Sequence, residues 1–252
     1  MIKRLCSCPE VEPARQYWIL SLSLLSNDYK IVVVEKFGYG FSDVVDENRD
    51  IDTMLSETRM ALDKAGIKGP YVLCPHSMSG LEALYWAQKY PEEVEAIVGL
   101  DMAVPDYYDE MNINIPIMKL GQYGAALGIT RWIPSLAESD AIKAGTLSEK
   151  EKEIYRAVFY QKTATVTMID EVKAVKQNAN IVKENGIPQV PMLLFISDGS
   201  GGTGFTKEKW RSIPENYISG CDNAGYIELD CPHYVHDYKY DEISKEIRKF
   251  IQ

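Results

Sequence analysis

The chain has 252 residues, of which 46% are hydrophobic, and its formal net charge is −10. This composition excludes a fibrous or disordered protein, and the length suits one α/β domain with an insertion. Because Lys and Arg form no basic stripe, we expect neither a nucleic-acid partner nor a membrane partner, which leaves a small-molecule substrate as the expected ligand.

The five cysteines are odd in number and contain no C-x-x-C pair. This usage favours a reducing cytoplasm over a disulfide framework. Cys6 and Cys8 are not followed by a second pair of ligands, so we expect no metal site. The apolar run at residues 17–25 is short, contains serines and follows an acidic stretch with prolines. It therefore predicts neither a signal peptide nor a transmembrane helix.

Short apolar segments alternate with amphipathic ones through the first hundred residues. Residues 30–34 (KIVVV) predict a parallel strand buried on both faces, and the glycine-punctuated turn 37–43 (FGYGFSD) follows it. Helical spacing between residues 54 and 66 predicts a helix, and further strands are predicted at 71–74 and 94–100. This alternation predicts a doubly wound, mostly parallel sheet with its functional groups at the carboxyl ends of the strands.

A serine lies between the strand at 71–74 and a helix predicted over residues 78–90, within the sequence CPHSMSG at 74–80. A sharp junction of this kind exposes the serine hydroxyl and points the first N–H groups of the helix at an oxyanion. Ser77 is therefore the candidate nucleophile, and the Met78 N–H group is the candidate oxyanion donor.

This elbow departs from the usual G-x-S-x-G pattern, because Pro75 and Ser79 occupy the two glycine places. Ser79 is small enough for its place, whereas Pro75 carries a ring and lacks an N–H group. The alternative interpretation of the same residues is a strand followed by a serine-capped helix without chemistry.

A serine nucleophile needs a general base, most often histidine. His76 adjoins Ser77 on the same tight turn, so its ring is not expected to reach back to the hydroxyl. The other two histidines lie in CPHYVH at 231–236, after a strand predicted at 225–229. His233 is nearest the strand end and is the candidate base, while His236 is expected to orient the loop.

A carboxylate should fix the tautomer of that histidine and stabilise its imidazolium form. Asp101 follows the strand at 94–100, and Asp198 follows a strand predicted at 192–196. Aspartates at strand ends are also common as simple turn formers. Reasoning from the residues does not separate the two candidates.

Between residues 103 and 188 the pattern becomes helical and rich in Tyr, Met and Ile, which predicts an inserted lid. The core then comprises residues 22–102 and 189–252, closed by a helix at 242–251. Among the bulky lid residues, Tyr107 and Trp132 are candidate substrate contacts, together with His76 beside the nucleophile.

The order of these motifs, from FGYGFSD through HSMSG and a helical insertion to PHYVH, resembles the α/β-hydrolase fold family. The likeness covers residues 22–252 and is to the branch with a lid after the sixth strand, which includes carboxylesterases, proline aminopeptidase-like enzymes and dehalogenases. It implies Ser77 as nucleophile, His233 as base and no cofactor, in a serine hydrolase that cleaves a small ester or amide.

The resemblance bears on the acid as well. The family usually takes it a few residues past the seventh strand, which is closer to Ser200 than to Asp198. Some members take it from the end of the sixth strand, the place that Asp101 matches. The resemblance therefore favours Asp101 slightly.

The N-terminal segment departs from the family. Members normally have two or three more strands before Lys30 and a glycine-rich loop that supplies an oxyanion donor, and residues 1–29 predict neither. Read in a shifted frame from Cys6, permitted codons encode FLSGGGT and then ILDF. We therefore hypothesise that residues 1–21 are a frame-shifted remnant.

Two other functions fit parts of the sequence. A catalytically impaired scaffold that binds a ligand or partner would explain the lack of an oxyanion loop. Residues 199–204 (GSGGTG) fit the G-x-G-x-x-G pattern after a strand, with Asp222 further on, as in nucleotide-binding proteins.

Overall fold

In a computed structural model of the chain, the described residues are 4–7, 24–144, 147–201 and 203–251. Within them the strands are β1 (Arg4–Ser7), β2 (Lys30–Val33), β3 (Tyr71–Leu73), β4 (His76–Ser77), β5 (Val94–Met102), β6 (Met192–Ile196) and β7 (Ala224–Glu228).

These strands form one sheet in the order β2-β1-β3-β5-β6-β7, and the short β4 pairs with the far end of β5. The strand pairs that define this order are parallel. The mostly parallel α/β sheet expected from the sequence is confirmed. The carboxyl ends of its strands therefore lie along one edge, as a site built from strand ends requires.

The strand β1 corrects the expectation that no strand precedes Lys30. Its residue Leu5 is paired with Ile31 of β2 on one side and with Val72 of β3 on the other. The segment is four residues long and contains no β-branched residue, so its sequence has little strand propensity. Pairing on both sides, rather than propensity, accounts for the strand. Residues 8–23, which include most of the hypothesised remnant at 1–21, lie outside the described residues, and the frame-shift hypothesis stays a prediction.

The helices follow the strands in alternation. Asp50 caps the first of them, because its side chain accepts a hydrogen bond from the Thr53 N–H group, and the helix begins three residues earlier than predicted. The helices are α1 (Ile51–Lys64), α2 (Ser79–Lys89), α3 (Tyr107–Glu110), α4 (Ile115–Ala126), α5 (Asp140–Lys143), α6 (Glu149–Lys162), α7 (Val166–Glu184), α8 (Lys207–Ile218), α9 (Val235–Tyr238) and α10 (Tyr240–Phe250).

Apolar side chains pack into two clusters that correspond to the two faces of the sheet. Tyr71 and Leu73 belong to one cluster, whereas Val72 between them belongs to the other. Because side chains alternate along a strand, this assignment places helices on opposite faces. The first cluster contains side chains from α1, α2, α7 and α8, and the second contains Ile243 and Ile247 of α10. The fold is thus three layers, with the sheet between two helical layers.

The segment between β5 and β6 is helical, as expected, but its last helix also serves the main core. Val175, Ala179 and Val182 of α7 lie in the same apolar cluster as Leu84 of α2. The predicted lid boundary at residue 188 stays a prediction, and α7 is packed against the core. Among the described residues, none of the helices combines the length and the apolarity needed to cross a bilayer.

Candidate active site

Ser77 ends β4 in a strained backbone conformation. Its φ is +54°, in the left-handed region that non-glycine residues rarely occupy. The Ala103 N–H group donates to the Ser77 carbonyl at 2.7 Å, and the Leu100 N–H group donates to the Pro75 carbonyl at 2.8 Å. Both bonds tie the elbow to the end of β5, which holds the hydroxyl of Ser77 at the carboxyl edge of the sheet.

The second and third residues after Ser77, which are Ser79 and Gly80, are small because of their local contacts. The Ser79 hydroxyl donates to the His76 carbonyl at 2.6 Å and accepts from the His76 N–H group at 3.0 Å. A Cβ atom at Gly80 would overlap the backbone oxygen of Ala103. Ser79 therefore closes the turn with its own side chain, and Gly80 lets α2 approach the end of β5.

His233 lies between Ser77 and Asp101. Its Nε2 atom is 2.9 Å from the Ser77 Oγ atom, and its Nδ1 atom is 2.6 Å from the Asp101 Oδ2 atom. Because a carboxylate can only accept, Nδ1 carries the proton, and Nε2 is left to accept from the serine hydroxyl. The loop is fixed by the His233 N–H group, which donates to the Ser200 carbonyl at 2.9 Å.

Asp101 is buried at the end of β5 with a φ of +49°. Besides His233, its carboxylate accepts from the Ser197 N–H group at 2.7 Å and from the Ser197 hydroxyl at 2.6 Å. The Trp210 indole N–H group donates to it at 3.0 Å. A buried carboxylate is tolerable because its oxygens are hydrogen-bonded in this way.

Sequence reasoning missed both Ser197 and Trp210. Ser197 directly follows β6, at the strand-end position that drew attention to Asp198, so its place was a usable signal. Trp210 lies on α8, 109 residues from Asp101, and nothing in its local pattern indicates the contact.

Asp198 has a different place from Asp101. Its side chain accepts from the Ser200 N–H group at 2.9 Å, and its own N–H group donates to the Cys231 carbonyl at 3.0 Å. This is the geometry of a turn former. Of the two aspartates that the sequence left open, Asp101 is the one hydrogen-bonded to His233.

His76 and His236 are buried against His233. The His76 ring lies 4.6 Å from the His233 ring and 4.8 Å from the His236 ring, centroid to centroid. The His76 Nε2 atom donates to the His233 carbonyl at 3.2 Å. Burial, with a smaller effect of His233, lowers the pKa of His236 to about 3, and burial likewise holds the pKa of His76 well below its usual range. Both rings are therefore neutral near pH 7.

The residues expected to contact the substrate differ in how exposed they are. His76 is buried, and Tyr107 is also buried, with its hydroxyl donated to the Trp210 carbonyl at 2.6 Å. Because their polar groups are committed inside the protein, the structure does not favour direct substrate contact by either. Trp132 is 85% exposed in a short helical turn after α4. Met78 stands directly before α2, and its carbonyl accepts from the Leu81 N–H group at 3.0 Å.

The glycine-rich loop at 199–204 lies beside His233. The Gly199 N–H group donates to the Ser197 hydroxyl at 3.0 Å, and the Ser200 carbonyl accepts from His233. Gly202 lies outside the described residues. The described part of the loop thus forms hydrogen bonds with His233 and with Ser197, the residue that also donates to Asp101. These contacts do not favour its interpretation as a phosphate-binding loop. Within the described ranges no group of three or more His, Cys, Asp or Glu side chains could hold a metal ion.

No protein-family model matches the chain. It is 34% identical over 239 residues to the uncharacterized protein YbdG of Bacillus subtilis, with 91% of this chain and 73% of that protein covered. A shorter match, 35% identical over 83 residues, is to the putative carbamate hydrolase RutD of Cronobacter sakazakii; it covers 32% of this chain and 31% of that protein.

Solved structures match over the whole chain. Cfl2 of Burkholderia cenocepacia is 17% identical with a TM-score of 0.78, and the match covers 100% of this chain and 88% of that one. The epoxide hydrolase of Bacillus megaterium is 14% identical with a TM-score of 0.74, covering 100% and 94%. The parallel sheet and the serine elbow on its edge define an α/β-hydrolase architecture. The chain therefore has the α/β-hydrolase fold, and it belongs to one family with YbdG.

Proposed function

We propose that the protein is a serine hydrolase that cleaves a small ester or amide through an acyl-enzyme formed at Ser77. The observation that supports this most is the unbroken hydrogen-bond chain from the Ser77 hydroxyl through His233 to the Asp101 carboxylate. A hydroxyl, an imidazole and a buried carboxylate in this order are the groups that activate a serine.

The proposed reaction begins with a proton transfer. As the Ser77 Oγ atom attacks the substrate carbonyl carbon, its proton passes to the His233 Nε2 atom. The tetrahedral intermediate collapses when His233 returns this proton to the departing alcohol or amine, which leaves an ester on Ser77. Water then attacks that ester while the His233 Nε2 atom takes one of its protons. His233 passes this proton to the Ser77 Oγ atom when the acid product leaves. The proposed steps call on no cofactor.

Asp101 acts on the base in this scheme. Its Oδ2 atom accepts from His233 Nδ1 at 2.6 Å, so it holds the tautomer in which Nε2 is a proton acceptor. When Nε2 takes the proton, the carboxylate faces the new imidazolium charge and stabilises it. Because Asp101 is buried, solvent screens this interaction only weakly.

The oxyanion is proposed to be stabilised by the N–H group of Met78. This group follows the nucleophile directly and stands at the N-terminal end of α2, where the helix dipole favours negative charge. Two donors are usual for such an intermediate, and loss of one lowers the rate about 100- to 1,000-fold.

The substrate class rests on the serine and on one relative. RutD is named a putative carbamate hydrolase, and a carbamate presents the carbonyl carbon that a serine attacks. The epoxide hydrolase shares the fold at 14% identity and supports the fold alone. We therefore propose substrates with a reactive carbonyl, such as esters and amides.

Hydrolysis of p-nitrophenyl acetate tests the proposal. We expect turnover by the natural chain and its loss in Ser77→Ala and His233→Asn. Ser219→Ala is the matched control, because its hydroxyl is exposed and donates to the Asn216 carbonyl on α8. A folded natural chain that hydrolyses neither esters nor amides would favour the impaired scaffold instead.

A further inference from the structure

Trp210 contacts both partners of the proposed acid–base pair. Its indole N–H group lies 3.0 Å from the Asp101 Oδ1 atom and 3.2 Å from the Oδ2 atom. Its ring packs edge to face against the His233 imidazole, with centroids 5.5 Å apart and planes at 88°. One rigid side chain therefore restrains the carboxylate and the imidazole together.

The indole is itself held in place from several sides. It stacks on the Tyr107 ring at 4.2 Å, and the Tyr107 hydroxyl donates to the Trp210 carbonyl at 2.6 Å. On another side, a Cβ atom at Gly199 would lie 2.9 Å from the Trp210 Cβ atom, so this glycine leaves room for α8 to approach. Trp210 is buried and has little freedom to turn.

A carboxylate can rotate about its Cβ–Cγ bond, and an imidazole can rotate about its Cβ–Cγ bond as well. Productive geometry requires Asp101 Oδ2 to face His233 Nδ1 while Nε2 faces Ser77. We propose that Trp210 is a positioning residue for this pair: its N–H group fixes the plane of the Asp101 carboxylate, and its ring fixes the plane of the His233 imidazole. The inference rests on the proposed serine hydrolase function.

The test compares Trp210→Phe with Trp86→Phe. Trp86 is the matched control because it is also buried and also donates its indole N–H group to a carboxylate, that of Glu93, at 2.8 Å. We expect Trp210→Phe to lower kcat for p-nitrophenyl acetate about 10- to 100-fold, the effect of losing one hydrogen bond to a charged group. KM should stay within about twofold, since no substrate contact is removed. Trp86→Phe should lower thermal stability and leave kcat unchanged.

A double-mutant cycle with Asp101→Asn separates positioning from general damage to the fold. Once the carboxylate is gone, the indole N–H group has no carboxylate to orient, and phenylalanine keeps an aromatic ring beside His233. Adding Trp210→Phe to Asp101→Asn should therefore lower kcat by less than about twofold. The same loss of kcat with and without the carboxylate would overturn the proposal.

Two further outcomes are decisive. If Trp210→Phe does not fold, Tyr107→Phe provides the test, because it removes the hydroxyl that holds the Trp210 backbone while keeping the stacked ring. We then expect a severalfold loss of kcat at unchanged KM, and an unchanged kcat would contradict the proposal.

A natural chain without esterase activity overturns the function and this inference together, whereas an active chain in which Trp210→Phe matches Trp86→Phe overturns this inference alone.

Discussion

Ser77 and Asp101 both have a positive φ, and they occupy the two ends of the hydrogen-bond chain through His233. A non-glycine residue in the left-handed region is destabilised by roughly 1–3 kcal/mol, and it persists only where its surroundings hold it there. Ser77 is held by the Ala103 N–H group, and Asp101 by the Ser197 N–H and hydroxyl groups. Strained backbone at two neighbouring strand ends is what turns both side chains towards one imidazole.

Substitution of each aspartate tests which carboxylate serves His233. We expect Asp101→Asn to lower kcat about 10,000-fold, because an amide N–H group would face Nδ1 and favour the wrong tautomer. Asp198→Asn should change kcat less than about threefold, since its side chain accepts from the Ser200 N–H group within its own loop. Steady-state kinetics on both variants measure this, and a larger loss in Asp198→Asn would reverse the assignment.

The neutral histidines predict a loss of stability in acid. His236 has a pKa lowered to about 3 by burial, and the pKa of His76 is lowered in the same direction. In the unfolded chain both titrate near about pH 6.5, so between these values the unfolded state binds more protons and stability rises with pH. We expect the free energy of unfolding to fall below about pH 6.5 by up to about 1.4 kcal/mol per pH unit for each group.

Urea denaturation at pH 7, 6 and 5 measures this slope. His236→Gln removes one titrating group and should flatten the dependence, even if it lowers stability at pH 7. An unchanged slope in this variant would mean that His236 does not titrate differently in the folded and unfolded chains.

At the scale of elements, the site depends on how closely α2 approaches the end of β5. Gly80 lies where any Cβ atom would overlap the Ala103 backbone oxygen, whereas Gly124 in α4 has open space around its Cβ position. We expect Gly80→Ala to lower stability by about 2 kcal/mol and to reduce kcat, because the helix must shift and the elbow with it. Gly124→Ala should raise stability by about 0.5–1 kcal/mol, because alanine is the better helix former. Thermal unfolding compares the two, and a Gly80→Ala variant as stable as the natural chain would contradict this packing.

The alternation of apolar strands and amphipathic helices made most elements predictable, because strands buried on both faces have a continuous apolar sequence. Helix boundaries were less certain: nothing in the periodicity marks Asp50 as the cap of α1. Contacts between distant elements were not predictable at all. Lys36, after β2, is buried with its ammonium group 2.6 Å from Glu171 of α7 and 3.8 Å from Glu82 of α2. No local spacing relates these three residues.

In the candidate site, too, local sequence pattern was predictive and contacts between distant elements were not. Ser77, His233 and Asp101 were accessible to sequence reasoning because each lies within a few residues of the end of a predicted strand, and parallel strands end at one edge. Trp210 was not accessible, since it lies inside a helix and reaches Asp101 only after α8 has packed on the sheet.

At the scale of the whole molecule, β1 joins β2 to the rest of the sheet. Arg4, Leu5 and Cys6 of β1 are paired with strands on both sides, although the sequence of β1 shows no strand signal. Its position was unpredictable because it follows from global pairing rather than local preference.

Proline substitution tests this position. Leu5→Pro removes an N–H group inside a strand that is paired on both sides and should lower Tm by about 10 °C or more. Lys30→Pro is the matched control at the first residue of β2, where proline is better tolerated, and should lower Tm by less than about 3 °C. Equal effects measured by differential scanning calorimetry would argue against a paired β1.

Intact-mass spectrometry after incubation with a fluorophosphonate probe tests the central claim most directly, because the probe reacts covalently with an activated serine. We expect one adduct on the natural chain, none on Ser77→Ala, and much slower formation on His233→Asn and Asp101→Asn. A folded natural chain that forms no adduct, or an adduct that persists in Ser77→Ala, would contradict the account of Ser77 as the nucleophile.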